Sequence, residues 1–239
     1  MKTEKELTAG NGLAKSGVIY LVRIYFQLLL MAATFFIAAG NLFIGRAWLY
    51  FGFLALVYTV SSLIFIKFNP ELLNERAKER ENTKSWDKLL LSLYLLIGFF
   101  GINLVAGLDV GRFHWSGLAM GYMIPGTIIY LVSAALGAWA MVTNKYFEAT
   151  VRIQEDREHQ VVRDGPYRIV RHPGYLAILL GIAAIPLMIG SLYAFYCSAA
   201  VFIIMITRTA LEDGALRQEL KGYSDYAQKV RYRLIPYIW

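Results

Sequence analysis

Hydrophobic residues in this chain come in long unbroken runs, without the 3.6-residue spacing of a half-buried helix or the alternation of a half-buried strand. Four runs cover approximately 18–39, 42–68, 89–108 and 118–142, each near the roughly 20 residues that about 30 Å of hydrocarbon demands of a helix. A fifth run, 175–207, is too long for one span and is broken by Pro186 and by Gly190-Ser191. It therefore predicts a tight helical hairpin with its turn at Pro186. The pattern as a whole predicts an all-α fold, a polytopic membrane bundle of about six transmembrane helices.

Charge sharpens that count. Lysine and arginine number four up to Arg23, one in the first loop (Arg46), six from Lys67 to Lys88, one in the third loop (Arg112), six from Lys145 to Arg171, none at Pro186 and six from Arg208 onward. Basic and non-basic loops alternate strictly. The positive-inside rule then predicts an integral, multi-pass protein with N- and C-termini cytoplasmic and an even number of crossings, so the last run counts as two spans. Trp48 and Trp115 fall near the outer interface and Trp86 near the inner one, as amphipathic rings prefer.

Composition agrees: 239 residues that are 57% hydrophobic exclude an ordinary soluble domain and read as one membrane domain, 1–239, with four spans in 1–142 and a more polar unit in 143–239. Met1 to Ser16 is polar and carries Lys2, Lys5 and Lys15, but a full-length span follows without a cleavage site, so the first span is expected to be retained. Cys197 is the single cysteine, which excludes an internal disulfide, and His114, His159 and His172 are too scattered for a metal-ligand motif. The net charge of +7 resides in loops, where membrane lipids are a nearer partner than nucleic acid. In the loop 69–88, Glu71, Leu72, Glu75, Arg76 and Glu79 recur at helical spacing, consistent with a short interfacial helix or with a solvated connector. Pro125 is placed to kink the fourth span.

Candidate chemistry concentrates in the last third. Gly165-Pro166 is a turn signal, and Pro173 suits the first position of the next helix, with His172 as its N-cap. A helix start offers free N–H groups to a carboxylate or phosphate, although simple capping explains His172 equally well. Glu212 follows Arg208 by four residues, so both lie on one helix face at the end of the sixth span. Charges at that depth mark a functional site or form an interfacial salt bridge. Tyr223, Tyr226, Arg231, Arg233 and Pro236 make a basic, aromatic tail that folds over the loop or lies on anionic lipid.

The pattern Gly165-Pro166-Tyr167, then Arg171-His172-Pro173 and Tyr175, a membrane hairpin, Arg208, Glu212-Asp213, Leu216, Tyr223, Tyr226, and a closing Arg233 and Pro236 resembles the isoprenylcysteine carboxyl methyltransferase and phospholipid methyltransferase superfamily. The resemblance covers about Gln154 to Pro236; the first four spans match only in being apolar. It implies an S-adenosylmethionine-dependent methyltransferase, with S-adenosylmethionine held at the cytosolic face and a lipid-like or prenylated acceptor entering between helices. Carried over by position, cofactor contacts fall on Gln154, His159, Gln160, Val161, Val162, Tyr167, His172, Pro173, Gly174, Tyr175 and Glu212, and the substrate-side catalytic arginine is Arg208. No metal is implied. Two departures stand out: the family's second glutamate is Asp213 here, and the spacing from Gln154 to His159 is short.

Methyl transfer from a sulfonium needs positioning and exclusion of water rather than a metal or a covalent nucleophile. Glu212 and the helix start at His172 suit the cofactor's ammonium and carboxylate, and Tyr167 or Tyr175 suits its adenine or sulfonium. A carboxylate acceptor is already ionised and needs a cation such as Arg208, whereas a protonated amine needs a base, for which His159 and Asp213 are the candidates. Two rivals are weaker. NADPH-dependent membrane sterol reductases share a His-Pro-x-Tyr hairpin but favour more arginines where this chain has Leu211-Glu212-Asp213-Gly214. A transporter would place ionisable residues near the bilayer midplane and show an inverted repeat, and neither is visible.

Overall fold

A computed structural model describes residues 12–76, 83–154 and 157–239, and among these every regular element is helical. Helices α1 (Lys15–Ala39) and α2 (Gly45–Phe68) are followed by the short α3 (Pro70–Arg76), by α4 (Ser85–Phe113) and, after a 3-10 turn at Met120–Tyr122, by α5 (Met123–Thr143). The polar loop after α5 leads into α6 (Pro173–Ile189), α7 (Ala194–Glu219) and the short α8 (Tyr223–Lys229). Five helices are long and apolar enough to cross a membrane, and α6 is a shorter apolar helix of 17 residues. The chain is thus a polytopic membrane helix bundle, whose outward side chains, such as Ile37, Leu63, Ile124 and Ile203, are exposed and apolar as lipid requires.

Lipid gives no hydrophobic reward for helix association, so close backbone approach has to supply the contact. On α4 a Cβ at Gly107 would collide with the Phe35 carbonyl oxygen, and one at Gly111 would collide with the Ala39 Cβ, so α1 and α4 meet through glycines one turn apart. Helices α5 and α6 meet in the same way, with Gly126 against Leu187 and Met188, and with Ser133 Oγ donating to the Ala177 carbonyl at 2.7 Å.

The hairpin is present, but its turn is not at Pro186. Helix α6 continues through that proline and ends at Gly190, whose φ of +92° is the left-handed cap that glycine adopts without strain. Pro186 has no N–H for the Ile182 carbonyl four residues back; Ser198 Oγ of α7 donates to that carbonyl at 3.1 Å instead. Nor does Pro125 kink α5, because it lies in the first turn, where the N–H it lacks has no partner to lose. The third run is longer than its apolar core, since α4 winds through two π-helical stretches, Leu95–Gly101 and Gly107–Phe113, the second of which carries Asp109 and Arg112 inside the helix. Of the two readings of the loop 69–88, a short helix is present over Pro70–Arg76, with Leu72 and Leu73 buried against Phe65, while Glu79 lies outside the described residues.

The two ends of the bundle differ. At the non-basic end, buried Asp109 accepts hydrogen bonds from Ser116 N (2.7 Å), Ser116 Oγ (2.6 Å) and Ser191 Oγ (2.6 Å), tying the α4–α5 connection to the α6–α7 turn. Arg46 donates to the carbonyls of Leu187 (2.6 Å), Met188 (2.8 Å) and Leu118 (2.5 Å), and Arg112 to those of Ile37 (3.0 Å) and Ala38 (2.7 Å). Each arginine therefore satisfies orphan carbonyls at a helix C-terminus. The basic end is built from the loop 144–172, the start of α6, the end of α7, α8 and the tail.

Candidate active site

The loop after α5 is held by its own side chains before it reaches α6. Asn144 Nδ2 donates to the Tyr167 hydroxyl at 3.2 Å, and Tyr146 N donates to Asn144 Oδ1 at 2.9 Å. Gln154, buried, donates from Nε2 to the Tyr146 carbonyl at 2.7 Å and accepts from Arg157 Nη1 at 3.1 Å. Gly165, at φ +55°, opens the expected turn, which continues as a 3-10 helix over Gly165–Arg168. Tyr167 and Tyr226 pack in one apolar cluster with Ala140, Leu220 and Tyr223, and Tyr226 Oη donates to the Tyr167 carbonyl at 2.7 Å. Of the two places open to the tail in the sequence, it takes the one over the loop: Arg171 N and His172 N donate to the Tyr232 and Arg233 carbonyls at 3.0 and 2.9 Å.

Asp213 is the knot of this end. Fully buried, it accepts from Arg171 Nε (2.7 Å) and Nη2 (3.0 Å), Arg217 Nε (3.1 Å), Arg233 Nε (3.0 Å) and Tyr223 Oη (2.9 Å), with His172 Nε2 at 3.3 Å. Such a carboxylate is saturated, which removes it as the candidate base for an amine acceptor. His172 occupies the N-cap position of α6 but makes no side-chain cap; its ring turns to Asp213 and stacks on Tyr175 at 5.7 Å. Arg171 is held above its ordinary pKa, the charge of Asp213 outweighing the cost of burial.

Beside this knot lies an open cleft. Its walls include His159, Gln160, Val161, Val162, Tyr167, His172, Pro173, Gly174, Tyr175 and Glu212, together with Asn144, Tyr146, Phe147, Thr150 and Leu216. Ten of the eleven expected cofactor positions thus meet in one space; Gln154 does not, its amide being engaged in the loop. Glu212 is the unsatisfied member: it accepts from the Tyr175 hydroxyl, and no cation pairs with it among the described residues. His159 stacks at a tilt on Tyr146, 4.6 Å between ring centres, with its Nδ1 buried and without a hydrogen-bond partner. Burial, then Arg152 and Arg157, lowers its pKa to about 4, so the ring is neutral near pH 7 and its free nitrogen is an acceptor or donor for a ligand. Gly174 has no Cβ because Phe147 stands 2.6 Å from where it would be.

A second cavity, of about 460 Å³, opens among the membrane helices, with Tyr20, Tyr58, Phe65, Tyr94 and Tyr130 among its walls. It meets the cleft at Phe147, Glu148, Gly174 and Tyr175, which line both. Arg208 lines this cavity and not the cleft. Its guanidinium is bidentate to buried Asp87 (Nε–Oδ1 2.6 Å, Nη2–Oδ2 3.2 Å), donates to the Ala149 carbonyl at 2.5 Å, and lies 5.3 Å from the centre of the Tyr175 ring. Tyr175 is therefore flanked by Arg208 and Glu212, as their four-residue spacing on one face of α7 requires. Asp87, the partner of Arg208, was not singled out from the sequence; an acidic residue at the start of an apolar run was the available signal.

Comparison with known proteins bears on this end of the bundle. Residues 126–218 match the isoprenylcysteine carboxyl methyltransferase (ICMT) family. The matched stretch runs from α5 to the end of α7 and so contains the loop, the hairpin and Glu212. Two curated relatives, each named a probable protein-S-isoprenylcysteine O-methyltransferase, come from Oryza sativa subsp. indica and Oryza sativa subsp. japonica; each is 28% identical over 116 residues, covering 47% of this chain. The chain spans 60% of the length of these relatives. The resemblance read from the motifs is to this same family.

Proposed function

We propose that the chain is an S-adenosylmethionine-dependent methyltransferase that methylates a carboxylate on a lipid-like acceptor, such as a prenylated cysteine, at the cytosolic face of a membrane. The observation that carries the reading is the meeting of two unlike spaces: a polar cleft with a carboxylate that lacks a cation, and an apolar cavity between spans, sharing Phe147, Glu148, Gly174 and Tyr175. Methyl transfer between a charged nucleotide-like donor and an amphiphile needs that arrangement, since each reactant arrives from a different solvent. The family match and the relatives' names support the same reaction.

The residues present fit the donor. Glu212 would take its ammonium, the Gly174 N–H at the start of α6 its carboxylate, and the segment from His159 to Val162 with Tyr167 its base. The chemistry it supplies when bound is a methyl group on a sulfonium: an acceptor carboxylate oxygen forms the new C–O bond, the C–S bond breaks with its electron pair on sulfur, and no proton moves. The chain accordingly needs no general base, and its part is to orient the acceptor and exclude water. The alternation of basic and non-basic loops supports a cytosolic position for the cleft.

Calorimetric titration of the detergent-purified protein with S-adenosylmethionine and, separately, NADPH tests the reading. Saturable binding of the methyl donor that Glu212→Ala removes is the expected result. Binding of NADPH alone would replace the reading with a reductase, and binding of neither would reopen transport.

A further inference from the structure

The end of the membrane cavity nearest the cleft carries two arginines with opposite fates. Arg208 is engaged with Asp87 and Ala149, leaving Nη1 as the one guanidinium nitrogen without a hydrogen bond among the described residues. Arg76, the last residue of α3, also lines the cavity, and its Nε and Nη1 are buried with no hydrogen-bond partner among the described residues. Its guanidinium lies over Tyr20, 5.6 Å from the ring centre, and over Phe147, 5.5 Å away. The rings fix its position and balance part of its charge, but they leave those two nitrogens, with three N–H donors between them, unanswered. Glu148, the one carboxylate on the cavity wall, is taken by Arg152 through hydrogen bonds of 2.9 and 3.0 Å. Tyr94 lies on the same wall.

A buried guanidinium with unsatisfied donors is costly unless an anion arrives to meet it. We infer that Arg76 is the anion-recognition residue of the membrane cavity, holding the carboxylate of the amphiphilic acceptor with Arg208 Nη1 as a second donor. This rests on the methyl-transfer reading for the identity of the ligand, and it divides the work differently from the sequence expectation. Arg208 is chiefly a scaffold through Asp87, while Arg76, far upstream of every other proposed contact, supplies the principal charge. Because Phe147 touches Arg76 and lines the cleft, an anion bound there lies next to the wall that the two spaces share.

The test uses the full-length protein in an uncharged maltoside detergent, titrated calorimetrically with S-farnesylthioacetate and with its methyl ester. The unsubstituted protein is expected to bind the carboxylate about tenfold or more tightly than the ester. Arg76→Gln should abolish that preference while leaving ester binding and S-adenosylmethionine binding unchanged and without lowering the melting temperature, and Arg76→Lys should restore part of the preference. Retention of the preference in Arg76→Gln, or its absence from the unsubstituted protein, would overturn the proposal. Tighter binding of dodecyl phosphate than of the carboxylate, or displacement of the probe by inorganic phosphate, would likewise reject a carboxylate amphiphile as occupant. If the methyl donor does not bind but the Arg76-dependent preference persists, the function proposed above fails and the anion site stands; if the donor binds but the preference is absent, the function stands and the anion site fails.

Discussion

The two ends of this bundle handle buried polar groups in opposite ways. At the non-basic end, Asp109 is surrounded by hydroxyl and amide donors, Arg46 and Arg112 are consumed by helix-end carbonyls, and the loops are closed. At the basic end, Asp213 gathers three arginines and a tyrosine, yet among the described residues its chain neighbour Glu212 has a single hydroxyl donor, and His159 and Arg76 have buried nitrogens with no hydrogen-bond partner. At the first end the charged groups are answered by the chain itself, and among the described residues the buried side-chain polar atoms without a partner away from the basic end are the neutral Tyr50 hydroxyl and Asn103 Oδ1. The other builds a rigid frame around groups left for something else, which is the pattern expected where local stability is subordinate to binding.

The largest effect should come from breaking the frame. Asp213→Asn leaves Arg171 buried without its counter-charge, and the cost should be about 3–5 kcal/mol, read as a large fall in thermal unfolding temperature in detergent. His172→Ala, which removes a ring from the same knot, is consequently a poor probe of binding alone. Glu212→Gln should do the reverse, leaving unfolding unchanged while weakening S-adenosylmethionine binding about 10- to 100-fold, the worth of a charge-assisted contact. If both neighbours proved equally important for stability, the contrast between them would collapse.

A smaller effect is expected at the closed end. Asp109→Asn keeps one acceptor oxygen, and the hydroxyls of Ser116 and Ser191 can rotate to accept from the new amide, so unfolding should cost about 1 kcal/mol. A cost like that of Asp213→Asn would show the two ends to be built alike. The smallest effect concerns His159, whose pKa is about 4 in the folded chain against an ordinary 6.5. The unfolded chain then binds more protons between those values, so stability is complete above about 6.5 and declines as pH falls toward 4. The ring's partial exposure to solvent dampens the slope. Melting temperatures measured across that range should show a decline that His159→Asn flattens.

Much of the architecture was legible because its signals are local. The glycine and proline that delimit α6, the unbroken apolar runs and the alternation of loop charge all lie within short stretches and led to the hairpin, whereas the ten residues that share one cleft came from the family resemblance of the motifs, carried over by position. The turn position was missed because Pro186 looks like a break until Ser198, on another helix, takes over the orphaned carbonyl. Asp87 was missed for a similar reason, being 121 residues from Arg208. Nor can a sequence tell which of two adjacent acids is saturated: a helix turns about 100° per residue, and only the packing decides that Asp213 faces the arginines and Glu212 the cleft. Gln154 shows the converse, a residue at the expected position whose amide the loop itself uses.

Arg46 also has a history that follows from where its partners lie. Leu118 is 72 residues downstream and Met188 is 142 residues downstream, so during synthesis this guanidinium emerges long before any of its carbonyls exist. The Leu118 carbonyl becomes available about midway through the chain, and those of Leu187 and Met188 only when α6 is complete. The contact that locks this end of the bundle is thus among the last that the growing chain is able to make.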